Sequence, residues 1–177
     1  MTEQEFRTAY PLIADWIQRT LAEHANAART VASVGFNRLA AYYDASLLAS
    51  SKAVVVPRVP MPPLSATGLD PFADFERMDA AGITYLDTYF VRADHARDES
   101  LHFHELVHVV QWRLLGPERF LALYASGLER FGYQNSPLEV MAYSLQDRFE
   151  RERQPFSVEG ECRKLLRGLT PSSWSPP

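Results

Sequence analysis

Residues 103–114 read Phe103-His104-Glu105-Leu106-Val107-His108-Val109-Val110-Gln111-Trp112-Arg113-Leu114, and the core of this run is His104-Glu105-x-x-His108. A helix turns about 100° per residue, so histidines four apart stand one turn above each other and can share one metal ion. The glutamate beside the first histidine is then placed to take a proton from a water activated by that metal. Phe103, Leu106, Val107, Val110 and Leu114 fall on one stripe with the spacing of a core-facing helix. His104, His108 and Gln111 flank this stripe, where a metal at the floor of a cleft needs its ligands. His102 projects from the opposite flank and is not counted as a ligand.

A catalytic zinc keeps three protein ligands and one open position. The extended pattern H-E-x-x-H-x-x-G-x-x-H is excluded, because Gln111 and Leu114 occupy its glycine and last histidine positions. No histidine follows His108. The best remaining third ligand is Glu139, on a second helix that opens with Ser136 as N-cap and Pro137 at its first position. That helix has its own stripe, Leu138, Met141, Ala142, Leu145 and Phe149. Glu139 stands to this stripe as His104 does to the first, and Tyr143 stands where His108 does. Two helices burying their stripes in one core can point these flanks at a common site. A competing reading is local: Ser136 and Glu139 have capping-box spacing, which would spend the glutamate on backbone donors at its own helix start.

The sequence of His104-Glu105-x-x-His108, a spacer of about thirty residues, and a helix carrying Glu139 and Ala142 resembles the gluzincin group of zinc metallopeptidases. The text His-Glu-Leu-Val-His-Val-Val-Gln over 104–111 also resembles bacterial peptidase-like domains of unknown substrate. The resemblance covers roughly residues 83–150. It implies His104, His108 and Glu139 as zinc ligands, Glu105 as general base, and a zincin-like fold. Gluzincins often carry an acidic residue four after the ligand glutamate, where this chain has Tyr143. With no later histidine to steady the oxyanion, Tyr143 or Tyr133 would serve.

Composition bounds the rest. The chain has 177 residues, 46% of them hydrophobic, which suits one globular domain with a real core. A net charge of −4 without charge blocks gives no nucleic-acid surface. Cys162 is the only cysteine, so no intrachain disulfide can form. Glu3 and Glu5 stand where a signal peptide wants positive charge, and no segment has the length to span a bilayer, so a cytoplasmic location is expected.

Along the chain, residues 3–29 read as a helix or helix pair, with Thr2 and Glu5 at capping-box spacing and Pro11 opening a new first turn. Its apolar face is Leu12, Ile13, Trp16, Ile17 and Leu21. A helix is expected over about 35–50, through Phe36, Leu39, Tyr43 and Leu47, and a short strand over 53–56. Pro57 to Pro71 is a proline-rich loop that wraps the surface or rims the cleft. Ile83 to Val91 reads as one strand beside the active helix. The gluzincin resemblance suggests that such a strand pairs with an extended peptide through a free edge; an inner strand would have none. Asp94 to Ser100 is a polar connector in which His95 is solvated. Pro117 opens a helix through Phe120, Leu121, Tyr124 and Leu128, broken by Gly132 and Asn135.

These readings combine into an α+β fold, mostly helical, with a small β-sheet packed against the helix of His104 and His108. One domain is expected over 1–169, followed by a disordered tail at 170–177. The expected function is zinc-dependent hydrolysis of a peptide bond in a peptide or protein substrate, with Glu105 as base. The alternatives are a zinc-binding interaction module that cleaves nothing measurable, and a zinc hydrolase of a non-peptide amide or ester.

Overall fold

A computed structural model describes residues 2–69 and 72–169. The tail expected at 170–177 lies outside the described residues. The fold is α+β, with seven α-helices among the described residues and one small mixed sheet.

Helix α1 (Glu3–Glu23) starts at a complete capping box: Thr2 Oγ1 accepts from Glu5 N–H, and Glu5 Oε2 accepts from Thr2 N–H. The helix runs through Pro11 without restarting, so the expected second first turn is corrected. Its buried face is Ala9, Ile13, Ile17 and Thr20, while Leu12, expected on that face, is 51% exposed. The expected helix over 35–50 is also corrected. A 3-10 turn (Asn37–Ala41) and helix α2 (Ala45–Ser50) divide it, because Asp44 is extended and opens a new helix. Tyr42 and Tyr43 between them are buried in the core.

The sheet has strands β1 (Arg29–Thr30), β2 (Lys52–Val56), β3 (Gly82–Tyr85) and β4 (Thr88–Arg92) in the order β1-β2-β4-β3. β2 and β4 are parallel; the other two pairings are antiparallel. The single strand expected over 83–91 is therefore a hairpin. Tyr85 pairs with Thr88 across the two-residue turn Leu86-Asp87. Leu86 takes φ 59° there, a left-handed conformation that a leucine adopts at a cost. Without glycine or asparagine in the turn, the local text resembles an unbroken strand. Between β2 and the hairpin run the proline-rich loop and helix α3 (Ala73–Glu76).

Helix α4 (Glu99–Leu115) carries His104 and His108 and occupies the middle of the molecule. Asp98 caps it by accepting from Ser100 and Leu101 N–H. It packs against β3, β4, α5 (Pro117–Phe131), α6 (Pro137–Arg151) and α7 (Val158–Leu165). Every residue from His102 to Trp112 is buried, so α4 is enclosed on all sides and has no exposed face in this stretch. Leu114, placed on the expected stripe, is only partly buried. Phe103 stacks on Phe149 of α6 with ring centroids 4.4 Å apart, and Trp112 stacks on Phe120 of α5 at 3.9 Å. On α5, Gly127 lets the start of α6 approach closely. A Cβ there would stand 2.7 Å from Pro137 Cδ. No helix among the described residues is long and apolar enough to cross a membrane.

Candidate metal centre

Three side chains from two helices converge beneath the surface. His104 and His108 come from α4, and Glu139 comes from the first turn of α6. The two imidazoles meet through their Nε2 atoms, 3.1 Å apart. Glu139 Oε2 lies 3.3 Å from His104 Nε2, and its Oε1 lies 3.4 Å from His108 Nε2. All three residues are at most 4% exposed. Glu139 makes no capping bond to Ser136, whose side chain caps nothing and whose Oγ is buried without a hydrogen-bond partner.

The tautomers follow from the neighbours. Gln111 Nε2 donates to the Leu138 carbonyl at 3.0 Å, which turns Gln111 Oε1 toward His108 Nδ1 at 2.8 Å. Gln146 Nε2 donates to Ser100 Oγ at 3.1 Å, which turns Gln146 Oε1 toward His104 Nδ1 at 2.9 Å. Each amide oxygen can only accept, so each Nδ1 carries a hydrogen. The Nε2 lone pairs then point at each other and at a carboxylate. Such a cluster is stable only with a cation among its atoms.

In the metal-free protein a proton fills that role. Burial alone would push the His108 imidazolium down, but the Glu139 and Glu105 charges outweigh it and hold the group at about 9. Burial likewise acts upward on Glu139, and the two histidines overcome it, leaving the carboxyl well below its ordinary range.

The donor set fits zinc. Zinc–nitrogen bonds of about 2.0–2.1 Å in a tetrahedron put neighbouring ligand atoms about 3.3 Å apart; here, with one donor atom taken from each residue, the three lie within 4.8 Å of one another. Glu139 Oε2 is buried with no hydrogen-bond partner, although the carboxylate's other oxygen accepts from Tyr124 at 2.6 Å. Two imidazoles and a carboxylate, each steadied from behind, leave one position for water or substrate.

Glu105 sits beside this cluster and is 3% exposed. Thr84 Oγ1 on β3 donates to its Oε2 at 2.7 Å. Burial raises the Glu105 carboxyl above its ordinary value, and the nearby His104 and His108 charges oppose the shift. Tyr143 is 42% exposed and lays its ring against His104, centroids 4.6 Å apart. Its hydroxyl lies near that of Tyr133.

The remaining histidines lie elsewhere. His102 is bonded to the Tyr89 hydroxyl at 2.7 Å and the Ala96 carbonyl at 3.1 Å. His95 is partly exposed among Arg92, Asp94 and Asp98.

Several neighbours of the site were not legible as such. Tyr124 read as a core residue of its helix, and Thr84 and Gln146 carried no signal, because each reaches the site from a different element. The expected strand edge is occupied at one carbonyl. β3 is the terminal strand of the sheet, but Trp112 Nε1 of α4 donates to the outward Thr84 carbonyl at 3.1 Å.

The cluster opens onto an apolar cavity. Glu105, His108, Glu139 and Tyr133 line it, together with Phe6, Ile13 and Ile17 of α1. Pro62, Leu64 and Leu69 of the proline-rich loop also line it, so this loop borders the site. No model of a known protein family matches the chain, and neither a curated protein nor a solved structure matches it.

Proposed function

We propose that this protein is a zinc-dependent hydrolase acting on a peptide bond, with His104, His108 and Glu139 as ligands. The observation that carries the reading is the meeting of both histidine Nε2 atoms with a buried carboxylate, one donor atom from each residue lying within 4.8 Å of the others. Zinc bound there would supply a Lewis acid that acidifies water and polarises a carbonyl. Glu105 accepts the proton of the attacking water and returns it to the leaving amine. Its raised pKa suits that exchange, and Thr84 holds the carboxylate in place. The Tyr143 hydroxyl, with Tyr133 behind it, donates to the oxygen on which charge develops. The proposed location is the cytoplasm, with the one cysteine buried as a free thiol.

A purely structural zinc takes four closed protein ligands and needs no base, which argues against a binding module here. A second reading, hydrolysis of a non-peptide amide or ester, is favoured by the apolar cavity and by the Trp112 side chain that takes the outward Thr84 carbonyl of β3.

The test is metal content and turnover of two variants. Protein purified without chelator should hold one zinc per chain. Glu105→Gln should keep the zinc and lose hydrolysis of a mixed peptide library, while His104→Ala should lose both. Equal loss of metal in the two variants would refute these roles.

A further inference from the structure

Gln111 is buried on α4, one turn beyond His108, and its amide is bonded at both ends. Its oxygen accepts from His108 Nδ1 at 2.8 Å, and its nitrogen donates to the Leu138 carbonyl of α6 at 3.0 Å. Leu138 directly precedes Glu139, and the peptide bond between them is trans. That carbonyl and the Glu139 Cα lie in one rigid plane, so a bond that fixes the carbonyl also fixes where the Glu139 side chain departs. The N-cap of α6 offers no fastening of its own. Ser136 caps nothing, and its Oγ is buried without a partner. Gln146, behind His104, differs in its second bond. Its nitrogen donates to Ser100 Oγ at 3.1 Å and to Glu150 Oε1 at 3.3 Å, and neither residue adjoins a ligand in sequence. One glutamine therefore serves one ligand, and the other reaches two.

We propose that Gln111 is a positioning residue for two ligands at once, holding the tautomer of His108 through its oxygen and the place of Glu139 through its nitrogen. This rests on the metal reading of His104, His108 and Glu139, not on hydrolysis. A side chain in this place must accept from a ring N–H and donate to a carbonyl 27 residues away at the same time. A neutral amide does both. An ionised carboxylate has no hydrogen to give, and a methionine of similar length neither accepts strongly nor donates. With the amide lost, the first turn of α6 loses its tie to α4 and Glu139 draws away from the two Nε2 atoms. His104 and His108 stay together, because one helix carries both.

The experiment compares Gln111→Met with Gln146→Leu, using zinc in competition with a chelator and cobalt(II) as a coloured substitute. Both variants should bind zinc about 10- to 100-fold more weakly than the wild type. They should differ in the cobalt spectrum at saturation, which reports coordination geometry. Gln146→Leu should keep the wild-type bands, whereas Gln111→Met should lose intensity as water takes the place of Glu139. Wild-type bands in saturated Gln111→Met would overturn the proposal, because Gln111 would then only back His108. NMR of the metal-free protein separates this outcome from failure of the metal reading. There the Glu139 backbone amide and the His108 ring nitrogens should both shift in Gln111→Met. A wild type that takes up neither metal overturns the metal reading, and these shifts then decide the positioning alone: both present supports it, either absent overturns it. Should Gln111→Met not fold, the wild type decides. A Gln111 side-chain amide proton that exchanges slowly supports the bridge to Leu138, and fast exchange overturns it.

Discussion

The Cα of Gly82 on β3 faces the carboxylate of Glu105 so closely that a methyl group on it would stand 2.8 Å from Glu105 Cδ and closer still to Oε1. Thr84, two residues on, donates to the other carboxylate oxygen. β3 thus holds the proposed base from two sides, by a missing side chain and by a hydroxyl. Alanine at position 82 would ordinarily favour a strand over glycine by roughly 0.5–1 kcal/mol. Here it must push the carboxylate aside. Gly82→Ala is expected to keep its zinc while turnover falls about 100-fold, the typical cost of a 1 Å misplacement. Metal content and turnover check this; wild-type turnover in Gly82→Ala would mean that Glu105 is not the base.

Tyr124 and Gln146 act on the ligands from behind. Tyr124 donates to Glu139 Oε1 and Gln146 accepts from His104 Nδ1. Removing such a partner typically weakens metal binding about 10- to 100-fold. Tyr124→Phe and Gln146→Leu should each do so in a competition with a zinc chelator, with little change in thermal stability of the loaded protein. Unchanged zinc affinity in both would place the metal elsewhere.

For Tyr143, ring and hydroxyl can be separated. The ring packs on His104, and the hydroxyl lies near that of Tyr133. Tyr143→Phe keeps the packing. If the hydroxyl steadies the oxyanion, turnover should drop about 100-fold or more with unchanged zinc and melting temperature. Unchanged turnover would leave Tyr143 a packing residue and make Tyr133→Phe the next variant to assay.

Cys162 gives a prediction about stability. Burial, followed by the charges of Glu159 and Glu161, pushes its thiol up to about 12. The raised pKa favours the folded state only while the thiol stays protonated in both states. Above the unfolded value, about 8.5, the unfolded chain loses this proton and the folded chain keeps it. Stability should therefore fall by about 1.4 kcal/mol per pH unit from this group, from about pH 9 toward its folded pKa. Denaturant melts at pH 9 and 10 should show a shallower loss in Cys162→Ala than in the wild type. Parallel pH dependence in the two proteins would show that the thiol ionises freely in the fold.

The sequence alone determined the features governed by neighbours a few residues apart. The His104–His108 spacing, the Thr2–Glu5 cap, the helix opening at Pro137 and the strand near 53–56 depend on one turn of helix or a few extended residues. The two flanks that brought Glu139 toward the histidines were also readable, because helix periodicity fixes which side chains share a side. Tertiary structure decided what periodicity cannot express. Val109 and Trp112 lie off the stripe expected for α4, yet both are buried, because sheet and helices surround this helix. The turn at Leu86-Asp87 holds because the pairing of β3 with β4 outweighs the poor turn text. The choice between cap and cluster for Glu139, and the support from Thr84, Tyr124 and Gln146, depended on contacts between elements 15 to 42 residues apart. Such contacts form only when burial of the stripes drives the elements together, so no local pattern in the chain records them.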